Sequence, residues 1–213
     1  MTPRSRPKLV VFDLDDVLAE DQRGLRIDVL ARAVGAPPAL VEEALFRSGL
    51  EGRNDRGELG LEDYLDAVRR RHGLDIPMDA FIDARRQGLR LCREVLDLAT
   101  GIAPQTTLAL FANGGQWLGR QLPKFLPELR PLFGTRMITS GQLGVAKPDP
   151  QAFYACLSML GFSPASALVI DDRAEHVAGA RSAGLDAIHY ASPPQLGQEL
   201  RQRGFDLEPV HAS

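Results

Sequence analysis

The chain has 213 residues, enough to bury one α/β core carrying a sizeable insertion, so one domain with an elaboration is expected. Its 28 acidic and 25 basic residues leave a net charge of -3, which is too small to indicate a nucleic-acid or membrane surface and favours a small soluble ligand. The two cysteines, Cys92 and Cys156, lack CxxC spacing, so neither a disulfide framework nor a zinc site is predicted and a cytoplasmic location is expected.

The first predicted element is a strand at residues 9–12, an apolar run without helical period that is typical of a strand buried on both faces. The run is too short for a signal peptide or a membrane span. Asp13 and Asp15 follow it. If the extended geometry continues, their side chains leave the same face at the carboxyl end of the strand, where open α/β sheets bind ligands. The pair indicates Mg²⁺, a nucleophile beside an acid/base, or both, and a solvated turn is the alternative.

Residues 22–100 have helical periodicity and almost no β-branched runs, which predicts an all-helical block of four helices. Residues 52–60 are polar and glycine-bounded, so a loop is expected there, and residues 81–98 hold one or two helices. Glycines mark the expected ends of the earlier helices: Gly35, Gly49 and Gly73. Arginines of this block are interpreted as a solvated face rather than as anion contacts: Arg69, Arg70, Arg71, Arg85 and Arg86.

Strands and helices alternate in the rest of the chain, which predicts right-handed crossovers and a parallel sheet. Strands are expected at residues 107–112, 136–139, 167–170 and 186–190, with helices between them and a terminal helix after them. Polar residues follow three of these units. Asn113 and Gly114 come after the first strand, Lys147 opens a helix, and Asp171 and Asp172 end an apolar run.

The carboxyl ends of parallel strands meet at one edge, so one crevice could hold the two acidic pairs, Asn113 and Lys147. This set suits phosphoryl transfer, in which a carboxylate attacks phosphorus while a hard cation and a fixed ammonium neutralise the phosphoryl oxygens. Adjacent carboxylates at a core edge are costly unless a metal or hydrogen-bond donors compensate them. Asp171 and Asp172 are therefore the residues of this set that most strongly indicate a functional site.

With these residues in view, the chain resembles the phosphatase branch of the haloacid dehalogenase (HAD) superfamily. FDLDDVL at residues 12–18 resembles its first motif, KPDPQAFY at 147–154 its third, and VIDDRAEHVAGARSAG at 169–184 its fourth. The resemblance implies that Asp13 is the nucleophile, forming an aspartyl-phosphate, and that Asp15 is the general acid/base. It implies that Lys147 holds the nucleophile and phosphoryl charge. It also implies Mg²⁺ ligands, directly, through a backbone carbonyl or through water: Asp13, Asp15, Asp171 and Asp172.

The implied fold is α/β, a Rossmann-like parallel sheet with helices on both faces and an inserted four-helix cap. Residues 1–19 and 99–213 correspond to the core domain, and residues 20–98 to the cap. The insertion resembles a type-1 cap, a lid that shuts over small substrates and excludes water.

The chain departs from the family at the second motif, where the strand ordinarily ends in Ser or Thr. Ala112 stands there and has no hydroxyl to offer a phosphoryl oxygen. Phosphate binding is therefore assigned to this turn and to Lys147, with the backbone N–H and side-chain amide of Asn113 and the neighbouring Gly114 as candidates. Asp16, where family members often have Gly, is interpreted as a residue that caps the turn.

The leading interpretation is a Mg²⁺-dependent phosphatase of a small phosphorylated metabolite, plausibly a sugar phosphate, acting as a monomer or homodimer without a nucleic-acid or membrane partner. A 2-haloacid dehalogenase, which uses the same nucleophile without a metal, is disfavoured by Asp15 and the Asp171–Asp172 pair. A non-catalytic protein that binds a phosphorylated ligand is the other alternative, and Ala112 supports it. The histidines are interpreted as structural or surface residues rather than ligands: His72, His176, His189 and His211.

Overall fold

The structure is a computed structural model that describes residues 6–207, so His211 lies outside the described residues. The strands are β1 (Leu9–Phe12), β2 (Ala19–Asp21), β3 (Leu89–Leu91), β4 (Thr107–Ala112), β5 (Met137–Thr139), β6 (Ala167–Asp171) and β7 (Asp186–His189). The first six helices are α1 (Arg23–Val34), α2 (Pro38–Glu42), α3 (Leu50–Asp55), α4 (Leu61–His72), α5 (Met78–Gln87) and α6 (Arg93–Ile102). The others are α7 (Gln116–Phe125), α8 (Arg130–Phe133), α9 (Ser140–Leu143), α10 (Pro150–Leu160), α11 (Ala174–Ser182) and α12 (Pro193–Gln202).

Five strands form one parallel sheet in the order β5-β4-β1-β6-β7. At the centre, Phe12 pairs with Leu110 on one side and with Ile170 on the other. Because all five strands run the same way, their carboxyl ends meet at one edge of the sheet. The predicted α/β class and the four predicted later strands are confirmed.

The sheet is buried on both faces, and successive side chains of a strand alternate between them. Val10 and Phe12 belong to one apolar cluster, whereas Leu9 and Val11 belong to the other. The helices cover both clusters, as predicted. This explains why the β1 sequence is a continuous apolar run rather than an alternating one.

The insertion between β2 and β3 differs from the prediction in three places. β2 and β3 form an antiparallel pair, so the block is not all-helical. Five α-helices, α1 to α5, lie between these strands in the described chain, and a π-helical turn at Glu43–Arg47 follows α2. The first residues of the expected loop at 52–60, up to Asp55, belong to α3. Each strand of the pair has only three residues, too few to show an alternation of polar and apolar residues. These segments are therefore strands because they pair with each other in the folded state.

Helices of the insertion pack onto the carboxyl edge of the sheet. The ring of Phe81 meets that of Trp117 edge-on, with centroids 5.3 Å apart, and Trp117 Nε1 donates to Asn54 Oδ1 at 3.3 Å. Gly57 also lies against this edge, where a Cβ atom would stand 2.5 Å from the carbonyl oxygen of Gly141. The absence of a side chain at Gly57 therefore permits the close approach. In the described part of the chain, no helix has the length and apolar character needed to cross a membrane.

Candidate active site

The turn after β1 separates the two acids that the sequence pairs. The strand ends at Phe12, so the extended geometry on which the prediction of a shared face was conditional stops before Asp13. Asp16 turns the chain with a φ of 57°, a left-handed conformation that favours glycine, and its carboxylate accepts a hydrogen bond from the Asp21 N–H at 3.1 Å. Asp13 faces the core as a result, whereas Asp15 faces the insertion.

Lys147 is the centre of a buried charge cluster at the sheet edge. Its ammonium lies 2.9 Å from Asp13 Oδ1 and 2.7 Å from Asp171 Oδ2, and it donates to the Phe111 carbonyl at 3.0 Å. These three contacts match the three donors of an ammonium group. The side chain of Lys147 is 1% exposed, so this cation is fixed in a dry environment between two carboxylates.

The charges of this cluster shift one another's protonation. Burial raises the pKa of Asp13 to about 8; Lys147 opposes the rise, and the carboxylates of Asp171 and Asp15 add to it. Burial alone would lower the pKa of Lys147, but Asp13 and Asp171 outweigh it and raise that pKa. Burial also acts to raise the pKa of Asp171, yet the hydrogen bond from His176 and the charge of Lys147 bring it down to about 2. Asp171 is therefore the more firmly ionised acid of the cluster.

His176 belongs to this cluster, and its contacts fit the structural role among the alternatives that the sequence left open, although the sequence did not predict its partner. Its Nδ1 lies 3.0 Å and 3.1 Å from the two carboxylate oxygens of Asp171, and its side chain is buried. The only sequence signal was its place five residues after Asp171, on the buried face of α11 with Val177 and Ala180. His176 holds Asp171 in one orientation, together with the Arg173 N–H at 3.0 Å.

Asp15 is the first residue of a series of ion pairs that the sequence did not predict. Both of its carboxylate oxygens accept hydrogen bonds from Arg85 Nη2, at 2.6 Å and 2.8 Å. Arg85 Nη1 donates to Asp21 at 2.8 Å, and Arg26 donates to both oxygens of Asp21 at 3.1 Å. Arg85 is buried, so its assignment to a solvated face is wrong, whereas that assignment is confirmed for the other four arginines: Arg69, Arg70, Arg71 and Arg86.

The turn after β4 is held to Lys147 through its backbone. The side-chain amide of Asn113 donates to the Lys147 carbonyl at 2.9 Å and accepts from the Lys147 N–H at 3.0 Å. The N–H of Gly114 donates to Ser140 Oγ at 3.0 Å, and Ala112 is buried at the end of its strand. Within residues 6–207, the backbone N–H groups of Asn113 and Gly115 have no hydrogen-bond acceptor, so both groups of this turn are available to a ligand.

The acidic groups of the cluster suit a hard divalent cation. Ligand atoms of Asp13, Asp171 and His176 lie within 4.8 Å of one another, and they form the one group of this kind among the described residues. Carboxylate oxygens are the donors that Mg²⁺ prefers, while the His176 nitrogen already contacts Asp171. The Asp15 and Asp172 carboxylates lie outside this group. Burial raises the pKa of Asp172, and the neighbouring Asp171 adds to the rise.

A cavity of about 150 Å³ lies between the sheet edge and the insertion. Its core side is formed by Asp15, the turn at residues 113–115 and α7, and its other side by α1, α3, α4 and α5. Charged side chains of both signs line it: Asp15, Asp21, Arg23, Arg26, Glu51, Asp55, Arg85 and Arg173. Ligand cavities commonly have about 300–1,000 Å³, so this space suits only a small molecule.

Residues 7–184 match the family model described as haloacid dehalogenase-like hydrolase. A Mycobacterium tuberculosis protein named Phosphatase MT3486 is 47% identical over 204 residues, covering 84% of each chain. A Thermus thermophilus protein named Phosphoserine phosphatase is 31% identical over 150 residues, which cover 68% of this chain and 53% of that protein. The chain thus spans about half the length of this Thermus relative.

The fold is similar to solved structures of the same kind. One is a HAD family enzyme from Bacteroides thetaiotaomicron in complex with magnesium and inorganic phosphate, with a TM-score of 0.73 and 20% sequence identity. The match covers 85% of this chain and 93% of that one. At this identity the likeness shows a shared fold, and it agrees with the family match along the sequence.

Proposed function

The chain belongs to the haloacid dehalogenase-like hydrolase family, and we propose that it is a Mg²⁺-dependent phosphatase of a small phosphorylated metabolite. The observation that carries this proposal is the fixed Lys147 ammonium between the buried carboxylates of Asp13 and Asp171. A phosphoryl group bound beside it brings negative charge that an ammonium in a dry site neutralises well. The relatives named phosphatases support the same reaction class.

Asp13 is the proposed nucleophile. Its two contacts, with the Leu14 N–H at 2.7 Å and with Lys147, both fall on Oδ1, which leaves Oδ2 to attack phosphorus. Attack forms an aspartyl-phosphate on Asp13, and Asp15 gives its proton to the departing oxygen. Asp15 then takes a proton from the water that hydrolyses the aspartyl-phosphate. The Asn113 N–H donates to a phosphoryl oxygen, as the hydroxyl absent at Ala112 would.

Asp13 and Asp171 are the proposed carboxylate ligands of Mg²⁺, with the backbone carbonyl of Asp15 and, through water, Asp172. When bound, the cation draws charge from the phosphoryl oxygens and lowers the barrier to attack. The contacts of His176 and the Arg173 N–H hold Asp171 in place for this role. Such supporting contacts commonly set the orientation of a metal ligand.

Residues 20–98 are the proposed cap domain, and residues 1–19 and 99–213 the proposed core. The packing of Phe81 and Asn54 on Trp117 corresponds to a closed lid over the cavity, which excludes water from the reacting groups. The sequence left a sugar phosphate open as the substrate. The cavity of about 150 Å³ favours a smaller molecule in this closed arrangement.

The 2-haloacid dehalogenase alternative needs no acid at Asp15 and no cation, so the pairing of Asp15 with Arg85 and the carboxylates around Lys147 favour the phosphatase. A non-catalytic phosphate-binding protein is separated from both by turnover. The test is hydrolysis of an aryl phosphate by the wild type and by Asp13→Asn, with Mg²⁺ and with EDTA. We expect Mg²⁺-dependent turnover by the wild type and none by the variant, since an amide cannot form the aspartyl-phosphate. Wild-type rates for Asp13→Asn, or full activity in EDTA, would overturn the proposal.

A further inference from the structure

Asp15 is held by the insertion in a way that cannot persist through the reaction. Both of its carboxylate oxygens contact one nitrogen of Arg85, which comes from α5. An acid that protonates a departing oxygen, and later takes a proton from water, needs at least one oxygen turned to the substrate. The Asp15–Arg85 contact must therefore loosen whenever a substrate is bound.

Arg85 cannot easily lose that partner. Its side chain is 4% exposed, and its remaining contact, Asp21, is shared with the buried Arg26. The repulsion between the two guanidinium groups is large enough to help burial lower the pKa of Arg26. Without Asp15, two buried cations would share the single carboxylate of Asp21. An uncompensated buried charge is strongly unfavourable, so another anion has to take the place of Asp15.

The protein itself does not supply this anion. Glu51 and Asp55 line the same cavity and interact electrostatically with Arg85, yet among the described residues neither forms an ion pair with it. Burial raises the pKa of both groups, which makes them poor substitutes for an ionised carboxylate. Lys147 and Asn113 hold the proposed phosphoryl position at the sheet edge, so the group next to Asp15 and Arg85 is the leaving group of the ester.

We propose that Arg85 binds a carboxylate on the leaving group, so that the substrates of this chain are phosphomonoesters of small hydroxy acids. This inference rests on the proposed phosphatase function. The substrate carboxylate replaces Asp15 on Nη2 of Arg85, and Asp15 turns to the ester oxygen. The phosphoryl group passes to Asp13 Oδ2 as its bond to the ester oxygen breaks, and that oxygen takes the proton of Asp15. Water then hydrolyses the aspartyl-phosphate and returns a proton to Asp15, which releases inorganic phosphate. The products are phosphate and the hydroxy acid.

The size of the cavity agrees with this class of leaving group. A volume of about 150 Å³ has room for two or three carbons with a carboxylate beside the phosphoryl group. Arg85 matches a carboxylate because its Nη2 already holds both oxygens of one while Nη1 stays with Asp21, and a charge-assisted contact of this kind is strong in a site without water. A neutral leaving group of the same size would release Asp15 without giving Arg85 a partner.

The experiment compares two probes of matched shape, 2-phosphoglycolate and its neutral amide, phosphoglycolamide, at saturating Mg²⁺. The wild type is expected to have a kcat/KM about 10- to 100-fold higher for the acid, the range that one charge-assisted hydrogen-bonded contact provides. In Arg85→Lys, which keeps the charge and loses the guanidinium group, this ratio should fall at least tenfold. Arg86→Lys, on the same helix but exposed, is the matched control and should keep the wild-type ratio.

Different results would overturn the role of Arg85 and the phosphatase function on which it rests. Wild-type hydrolysis of an aryl phosphate without preference for the acid over the amide would overturn the role of Arg85 and leave the phosphatase function standing. Equal losses for both probes in Arg85→Lys would also overturn it, because Arg85 would then serve the phosphoryl group or the fold. If Arg85→Lys does not fold, the wild-type ratio alone decides. No hydrolysis of any of the three esters would end both proposals.

Discussion

Replacing Lys147 with methionine tests the charge cluster on which the proposed site depends. Methionine has a similar length and fills the same space, but it removes the ammonium that contacts Asp13 at 2.9 Å and Asp171 at 2.7 Å. Asp13, whose pKa burial already raises to about 8, would then have to take up a proton beside Asp171, and the Phe111 carbonyl would lose its donor. The variant should therefore be much less stable than the wild type when no divalent cation is present.

The size of this effect follows from the burial of all three groups. The exposed side-chain fractions of Lys147, Asp13 and Asp171 are 1%, 8% and 0%, so water screens little of the interaction. Removing one partner of a buried ion pair commonly costs about 3–5 kcal/mol, and we expect a loss of that size in the free energy of unfolding. Adding Asp13→Asn removes a group that must either be buried charged or be protonated against its low pKa in the unfolded chain, so the double variant should be at least about 1 kcal/mol more stable than Lys147→Met alone.

Urea unfolding in EDTA, followed by circular dichroism, measures these free energies. Lys124→Met is the control, because Lys124 is exposed and its loss should change stability by less than about 0.5 kcal/mol. Mg²⁺ should stabilise Lys147→Met more than it stabilises the wild type, since the cation then replaces the missing charge. If Lys147→Met is as stable as the control, or if the second substitution brings no recovery, Asp13 and Asp171 are not the mutually repelling pair described here.

Two further predictions concern Asp55 and Ala112. Burial, with Glu51 and Asp15, raises the pKa of Asp55 from 3.8 to about 7, so the folded state binds its proton more tightly than the unfolded state does. Its contribution to stability therefore falls as the pH rises from about 4 to 7, by at most about 4 kcal/mol. In urea unfolding over that range, the free energy of unfolding of Asp55→Asn should rise relative to that of the wild type. A difference between the two proteins that does not depend on pH would contradict this. Ala112→Ser should raise the rate of aryl phosphate hydrolysis about tenfold or more by adding a phosphoryl donor; an unchanged rate beside an active wild type would mean that another group already donates.

The sheet could be predicted from the sequence because each strand is a short apolar run followed by a polar or glycine-rich turn. β1 and β6 have this form and were predicted to within one residue. The β2–β3 pair could not be found in the same way. Its three-residue strands carry no period of their own, and they exist because the chain leaves and re-enters the core side by side. The local pattern of polar and apolar residues does not predict such a pairing.

The meeting of Asp13, Lys147 and Asp171 followed from topology, because side chains placed after parallel strands converge at one edge. The partners of these residues were harder to predict. Arg85 lies four residues after Phe81 and one after Ala84, on the buried face of α5, and that spacing was the available signal. A charged residue on an apolar face usually lies at the margin of that face, so the burial of Arg85 is possible because Asp21 and Asp15 pair with it.

The two acids of the first turn have different electrostatic partners, and this separates the two halves of the proposed reaction. Asp13 is paired within the core, by Lys147, and this contact does not depend on the insertion. Asp15 is paired across to α5, by Arg85, so the position of the insertion decides whether the acid/base is engaged. A nucleophile fixed in the core and an acid/base controlled by the lid would couple leaving-group recognition to proton transfer. Substrate choice can then change through residues of the insertion while the cluster around Lys147 stays the same.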